Sequence, residues 1–204
     1  MKTLRGDYSY RRNGELQDIQ EPWTWQFDGD TSVLSGQRIV AGVPVLDIRA
    51  EYHGPRCVAQ QLRWQGLDAK PDQPARDLSY RIDGAQLRWS EAGRAAEHRL
   101  PLPAEALQFP LLRAASGRLL LNLQRGAGPV VLPNLRVAPT ATDFLHPLLS
   151  KRWVEAGNAA GHYRYLGGEY GDAGADYWLN SDAILERYRW AAPDGVWDVQ
   201  ARSG

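Results

Sequence analysis

Apolar and polar residues alternate with a period of two along much of the chain. Trp23, Trp25 and Phe27 fall on one side with Thr24 and Gln26 between them, and Leu46, Ile48, Ala50 and Tyr52 share a side against Asp47, Arg49 and Glu51. This period sends successive side chains to opposite faces of a strand. One face is then buried and the other wet, as in antiparallel sheets. Leu78-Ser79-Tyr80-Arg81-Ile82 alternates likewise, Asp83-Gly84 interrupts, and Ala85-Gln86-Leu87-Arg88-Trp89 resumes, which is a hairpin pattern. Asn13-Gly14, Asp28-Gly29 and Asp194-Gly195 are turn signals of the same kind.

Further strands are predicted over 33–40, 58–65, 118–123, 130–137, 162–165, 177–179, 184–190 and 196–201. About nine to twelve short strands at this spacing predict an all-β fold, a curved antiparallel sheet or partly closed barrel. One to three short helices accompany them. Pro103 stands at a first helical position, with a second turn over 110–115. Pro147 to Glu155 puts Leu148, Leu149 and Trp153 on one face, with Gly157 beyond the end. The stretch 66–75 reads as a loop, so residues 1–204 form a single β domain. Tyr8-Ser9-Tyr10 with Gly14-Glu15 and Tyr163-Arg164-Tyr165 with Gly168-Glu169 are spaced alike only when small gaps are allowed. Strand and turn rules produce such likeness without duplication.

At 204 residues and 22.8 kDa the chain is long enough to bury a core without staples. Twenty-four basic residues balance 24 acidic ones, which argues against a nucleic-acid binder. No apolar run has the length of a membrane span. Met1 to Asp7 turns polar at once, which predicts a cytoplasmic protein, or a periplasmic one if a leader has been removed. Three basic residues are lysines (Lys2, Lys70, Lys151), so 21 of the 24 are arginines. A GC-rich genome accounts for that bias, and so does a need for planar cations that stack on aromatics and grip anions.

Candidate chemistry is sparse. His53, His98, His146 and His162 form no metal-ligand spacing, and one cysteine, Cys57, provides neither a disulfide nor a zinc site. Arg56 points to the opposite strand face from Cys57 and does not activate it. There is no Gly-x-Ser-x-Gly elbow, and the glycines of 167–171 and 126–128 read as turns rather than phosphate cradles. Glu169, Asp172, Asp176, Asp182 and Glu186 lack the order of a calcium loop. No catalytic residue, metal or cofactor is assigned.

Eight tryptophans and nine tyrosines accompany only three phenylalanines. Tryptophan and tyrosine suit places where an apolar body meets a polar partner. Core packing explains most of them; a ligand cavity on a curved sheet explains the rest. The candidate lining residues are Trp25, Trp64, Tyr80, Trp89, Tyr165 and Tyr188. Arg38, Arg113 and Arg187 are candidates to meet an anionic headgroup.

Three segments, 133–139 (Pro-Asn-Leu-Arg-Val-Ala-Pro), Tyr163-Arg164-Tyr165 and Trp178 to Tyr188, resemble the closing half of bacterial glycolipid-binding proteins. Those are single-domain β structures related in shape to lipoprotein carriers, and the resemblance implies a half-barrel that holds acyl chains. Leu102-Pro103 and Phe109 to Arg113 only echo that family's Thr-Pro…Leu-Pro-Ile-Arg-Arg signature, so no binding residue is carried over. The leading expectation is non-catalytic binding of a hydrophobic or amphipathic small molecule, capped by 103–115 or by the helix from Pro147. The alternative is a cofactor-independent isomerase, cyclase or hydratase with Glu186 or Asp198 as acid or base. A third reading gives the aromatic face to a protein partner.

Overall fold

The computed structural model describes residues 1–66, 75–126 and 128–202. Most of the loop predicted over 66–75, and Ala127 of the glycine cluster at 126–128, lie outside the described residues. The first strands are β1 (Lys2–Gly6), β2 (Tyr8–Arg12), β3 (Glu15–Gln20), β4 (Trp23–Asp28), β5 (Thr31–Val40) and β6 (Val43–His53). Then come β7 (Arg56–Trp64), β8 (Arg76–Asp83), β9 (Gln86–Glu91), β10 (His98–Pro101) and β11 (Leu107–Gln108). One α-helix, α1 (Ser116–Gln124), precedes β12 (Val130–Pro133), β13 (Pro147–Ser150) and β14 (Trp153–Ala156). The chain ends with β15 (His162–Leu166), β16 (Ala175–Leu179), β17 (Leu185–Ala192) and β18 (Gly195–Ala201).

Fifteen of these strands form one antiparallel sheet in the order β10-β9-β8-β7-β6-β5-β3-β2-β18-β17-β16-β15-β14. β4 pairs with β5 and carries β1 beside it. The sheet does not close among the described residues, so the all-β curved sheet expected from the alternation is observed and a closed barrel is not. The predicted faces hold: Trp23 and Trp25 are buried on β4, and Leu46, Ile48, Ala50 and Tyr52 on β6. The turn signals hold as well. Asn13 and Gly14 take φ of 51° and 85° between paired Arg12 and Glu15, the left-handed pair that a two-residue hairpin turn needs.

Among the described residues the strands number 18, more than the nine to twelve expected. β1 and β3 are mostly exposed and carry little alternation, so their pairing neighbours hold them in the sheet. Two helix assignments are corrected. The stretch 147–155 forms β13 and β14, because Leu148 and Leu149 pair with Leu132 and Val131 of β12 rather than wrapping a helix. The stretch 103–115 holds a turn at Ala104-Glu105, the two-residue strand β11 and, at its end, one 3-10 turn, Arg113–Ala115. Conversely, 118–123 is helical rather than a strand: Leu119, Leu120 and Leu123 are buried at the spacing of one helix face. Gly117 permits that helix to approach the sheet, since a Cβ there would stand 1.8 Å from the Ala183 carbonyl oxygen.

Residues between β10 and β14 cross the inner face of the large sheet. They carry a small sheet in which β11 pairs parallel to β12 and β12 antiparallel to β13. Leu107, Leu112, Leu120, Val130, Phe144 and Leu145 from this crossing segment join Tyr8, Leu34, Ile48, Leu62, Leu78 and Tyr188 of the sheet in one core. Each fully buried leucine of that set stabilises by roughly 1.5–3 kcal/mol.

Candidate functional site

The crossing segment does not cover the inner face evenly. Over β7, β8 and β9 it seals the sheet. Phe144 meets the Trp64 ring edge-on at 5.3 Å, the Tyr80 hydroxyl donates to the Leu145 carbonyl, and His146 lies 4.2 Å from Trp89 between ring centroids. Over β15 to β18 and β2 it leaves a cavity of about 410 Å³.

Alternation on adjacent strands builds the floor of that cavity. Tyr165 of β15, Tyr177 of β16, Tyr188 and Trp190 of β17, and Trp197 and Val199 of β18 all border it, and Tyr10 of β2 continues the row. Tyr177 and Tyr188 are opposite one another in register, their rings 4.9 Å apart at 63°. Tyr170, from the 3-10 turn Gly168–Tyr170, places its hydroxyl 3.3 Å from that of Tyr177 and its ring 4.9 Å from Trp190. The roof is apolar: Phe109 and Leu111 before the helix, Leu119 and Leu120 on it, and Leu132 after it. Leu135, Arg136 and Glu169 also border the space and are exposed, so they mark its mouth.

Three further guanidiniums line it, and their pairing differs. Glu21 follows β3 just before Pro22, and its side chain turns inside with 0% exposure. It accepts from Arg38 Nε and an Arg38 terminal nitrogen at 3.1 and 2.7 Å, from the Tyr10 hydroxyl at 2.7 Å, and from the Arg113 backbone N–H. A buried carboxylate supplied with this many donors is satisfied. Arg38 also donates to the Leu111 carbonyl at 3.1 Å, where Leu111 is held at φ 63°. Arg152, 5% exposed, donates to the Gly167 carbonyl at 2.6 Å and to Glu169, while its buried Nε has no partner among the described residues. Arg113 lies 4.4 Å above the Tyr188 ring, its Nε buried without a partner and its guanidinium without a carboxylate among the described residues.

Burial raises the pKa of four phenols that border the cavity. That of Tyr10 is pushed up to about 12, with the charge of Glu21 adding to desolvation. Those of Tyr165, Tyr177 and Tyr188 are raised by desolvation above all. These hydroxyls are neutral donors and acceptors at neutral pH, not bases. Burial likewise pushes the Cys57 thiol up, and its Sγ only faces the Ala59 carbonyl at 3.5 Å.

Of the nine residues singled out in the sequence, Arg38, Arg113, Tyr165 and Tyr188 line this cavity together. The others stand elsewhere. Trp25 is 1% exposed, donates from Nε1 to Ser32 Oγ at 3.0 Å and lies under the Arg118 guanidinium at 4.6 Å. Trp64, Tyr80 and Trp89 are in the sealed region; Tyr80 and Trp89 border only a depression of about 300 Å³ with charged walls such as Arg81, Arg88 and Glu97. Arg187 alternates with the inward Tyr188 and so points to the outer face, 5.3 Å over the Trp178 ring and paired with Asp198. Strict alternation along β17 predicts that Glu186 shares a face with Tyr188 and Trp190. The register shift opposite Trp178 and Leu179, which pair with Arg187 and Leu185, leaves Glu186 as an extra residue and exposes it. Glu186 and Asp198, the candidate acid and base, are therefore both outside the cavity. Missed by the sequence reading were Tyr10, Glu21, Arg152, Tyr170, Tyr177, Trp190 and Trp197. Tyr177 and Trp197 were visible as strand positions, but Tyr170 sits in a glycine-rich turn whose pattern is only that of a turn.

No group of histidine, cysteine and acidic side chains suited to a metal occurs among the described residues. No helix there is long and apolar enough to cross a membrane. No protein-family model matches the chain, and no curated protein matches it. The fold is similar to that of the β-barrel-like protein of domain of unknown function DUF1849 from Brucella abortus. That match has 9% identity and a TM-score of 0.52, over 98% of this chain and 95% of that one. At this identity the likeness concerns the fold alone.

Proposed function

We propose that the chain binds a hydrophobic or amphipathic small molecule in the cavity between β15–β18 and α1, without transforming it. The carrying observation is a space of about 410 Å³ whose floor is tyrosine and tryptophan and whose roof is leucine and phenylalanine. That volume lies in the range of small-molecule sites, and an apolar lining with a few fixed polar groups is their usual make-up. The half-barrel of the lipoprotein-carrier type that the closing segments resemble accords with this use.

The alternative, acid–base catalysis on a hydrophobic substrate, finds less support. Glu21 is consumed by its four donors, Glu169 is held by Arg136 and Arg152 at the mouth, and the phenols are neutral.

The test is titration with Nile red, an uncharged fluorescent probe, followed by competition with decanol. Saturable one-to-one binding is expected, lost in Leu132→Trp, which fills the roof side of the space. Absence of saturable binding, or binding indifferent to that replacement, overturns the reading.

A further inference from the structure

We infer that the occupant carries an anionic group, a carboxylate or a phosphate monoester on an apolar body, and that Arg113 with the tyrosine hydroxyls around it receives that group. This rests on the reading of the cavity as a ligand site and adds the charge of the ligand.

The argument is one of compensation. Arg38, Arg113, Arg136 and Arg152 border the cavity, and among the described residues only Glu21 and Glu169 stand against them, which leaves two positive charges in excess. Glu21 is spent on Arg38, and the only contact it takes from Arg113 is the backbone N–H. Arginine stays protonated at any physiological pH, so Arg113 cannot escape its situation by neutralising. Arg113 is half-buried, and taking an unpaired cation even partly out of water costs free energy. The Tyr188 ring at 4.4 Å returns only part of that, about 0.5–2 kcal/mol.

Other half-buried arginines have partners: Arg118, also without an acid, donates to the Gly54 carbonyl, and Arg76 has a carboxylate. Arg76 holds Glu91 through two bonds of 2.6 and 2.9 Å while lying 5.8 Å from the Phe144 ring. An arginine left unanswered beside an open space, with a second unpartnered Nε on Arg152 also at its wall, is prepared for an anion from outside. The guanidinium fork fits carboxylate and phosphate oxygens two at a time. The Tyr170 and Tyr177 hydroxyls, 3.3 Å apart, add hydroxyl donors.

Displacement of Nile red by four probes of equal chain length, all below micelle formation, tests this: decanoate, decyl phosphate, decanol and decylamine. At least one anion is expected to displace the dye at about ten- to hundred-fold lower concentration than decanol, the worth of one charge-assisted contact. Decylamine is expected to be the weakest. Which anion wins distinguishes a carboxylate from a phosphate ligand. In Arg113→Met the anion advantage disappears, and Arg187→Met, on the outer face, leaves all four as they were. Equal displacement by anions and decanol in the unaltered protein overturns the charge inference and leaves the apolar site standing. Failure of the dye to bind overturns both. The ratio in the unaltered protein decides by itself should Arg113→Met not fold.

Discussion

The two halves of the large sheet use the same residue types on their inner faces and reach different ends. Over β7–β9, Trp64, Tyr80 and Trp89 are each met by a residue of one short stretch, Phe144, Leu145 and His146. Over β15–β18, tyrosines and tryptophans again face the covering segment, but its helix stays off them and about 410 Å³ is left open. The two half-buried arginines differ likewise: Arg76 has Glu91, whereas Arg113 has no acid among the described residues. An aromatic inner face therefore does not make a site. A site arises where the covering segment fails to fill that face and leaves a cation, Arg113, without an acid.

The strongest way to break this comparison is to empty the sealed half. Phe144 is 2% exposed and wedged between Trp64 and Arg76. Phe144→Ala is expected to cost about 3–5 kcal/mol in urea unfolding, the usual loss for a core phenylalanine. Trp190→Ala removes a larger ring from the wall of a space already open, and is expected to cost about 1 kcal/mol while weakening Nile red binding roughly ten-fold. Equal costs for the two would mean that the second region is as tightly packed as the first.

The next contrast is electrostatic. Glu91→Gln strands the Arg76 guanidinium in the sealed half and is expected to cost about 3 kcal/mol. Arg113→Met removes a cation with no acid partner, and the relief of desolvation offsets the lost Tyr188 contact, so stability should stay within about 1 kcal/mol. The sealed half also sets the acid limb of stability. Hydrogen bonds from Arg76 hold the Glu91 carboxyl below the usual carboxylate range, and burial, then the charge of Arg76, holds the His146 imidazole below its ordinary value. In both cases the unfolded chain binds more protons once pH falls under its own pKa, about 6.5 for histidine and about 4.3 for glutamate. Stability is thus full above about pH 6.5 and declines in two stages as pH drops. Unfolding midpoints of the unaltered protein and His146→Gln, measured from about pH 8 to about pH 4, should differ by loss of the first stage alone.

How much of this was legible in the sequence differs between the halves as well. Period two on β4, β6, β8 and β9 announced strands and their buried faces correctly, because one side of each is dry and the other wet. It could not say what lies above those faces, so Trp25, Trp64, Tyr80 and Trp89 read as cavity residues although other segments cover them. On β17 the same rule failed at the register shift, where Glu186 is the extra residue and leaves the face that alternation shares out to Tyr188 and Trp190. The segments 118–123 and 147–155 were exchanged in type because short leucine runs suit either period, and pairing with β12 decides the second. Glu21 carries no pattern at all: only the fold brings Tyr10, Arg38 and the Arg113 backbone to it.

The finest contrast rests on two leucines held in the left-handed region, one in each half. Leu145 has φ 65° and is 0% exposed in the sealed half, and Leu111 has φ 63° beside the cavity. A side chain at such φ costs roughly 1–2 kcal/mol, which glycine avoids. Leu145→Gly gives back that strain but loses a core side chain worth about 2–5 kcal/mol, so a net loss of about 2 kcal/mol is expected. At Leu111 the relief nearly matches the lost burial, and the change should stay under about 1 kcal/mol. Its effect belongs on binding, because the strained turn aims the Leu111 carbonyl at Arg38 and leads directly into Arg113. Leu111→Gly should therefore leave the urea midpoint almost unmoved and loosen Nile red several-fold. A large stability loss there instead would place Leu111 with Leu145, as a residue strained for packing rather than for the site.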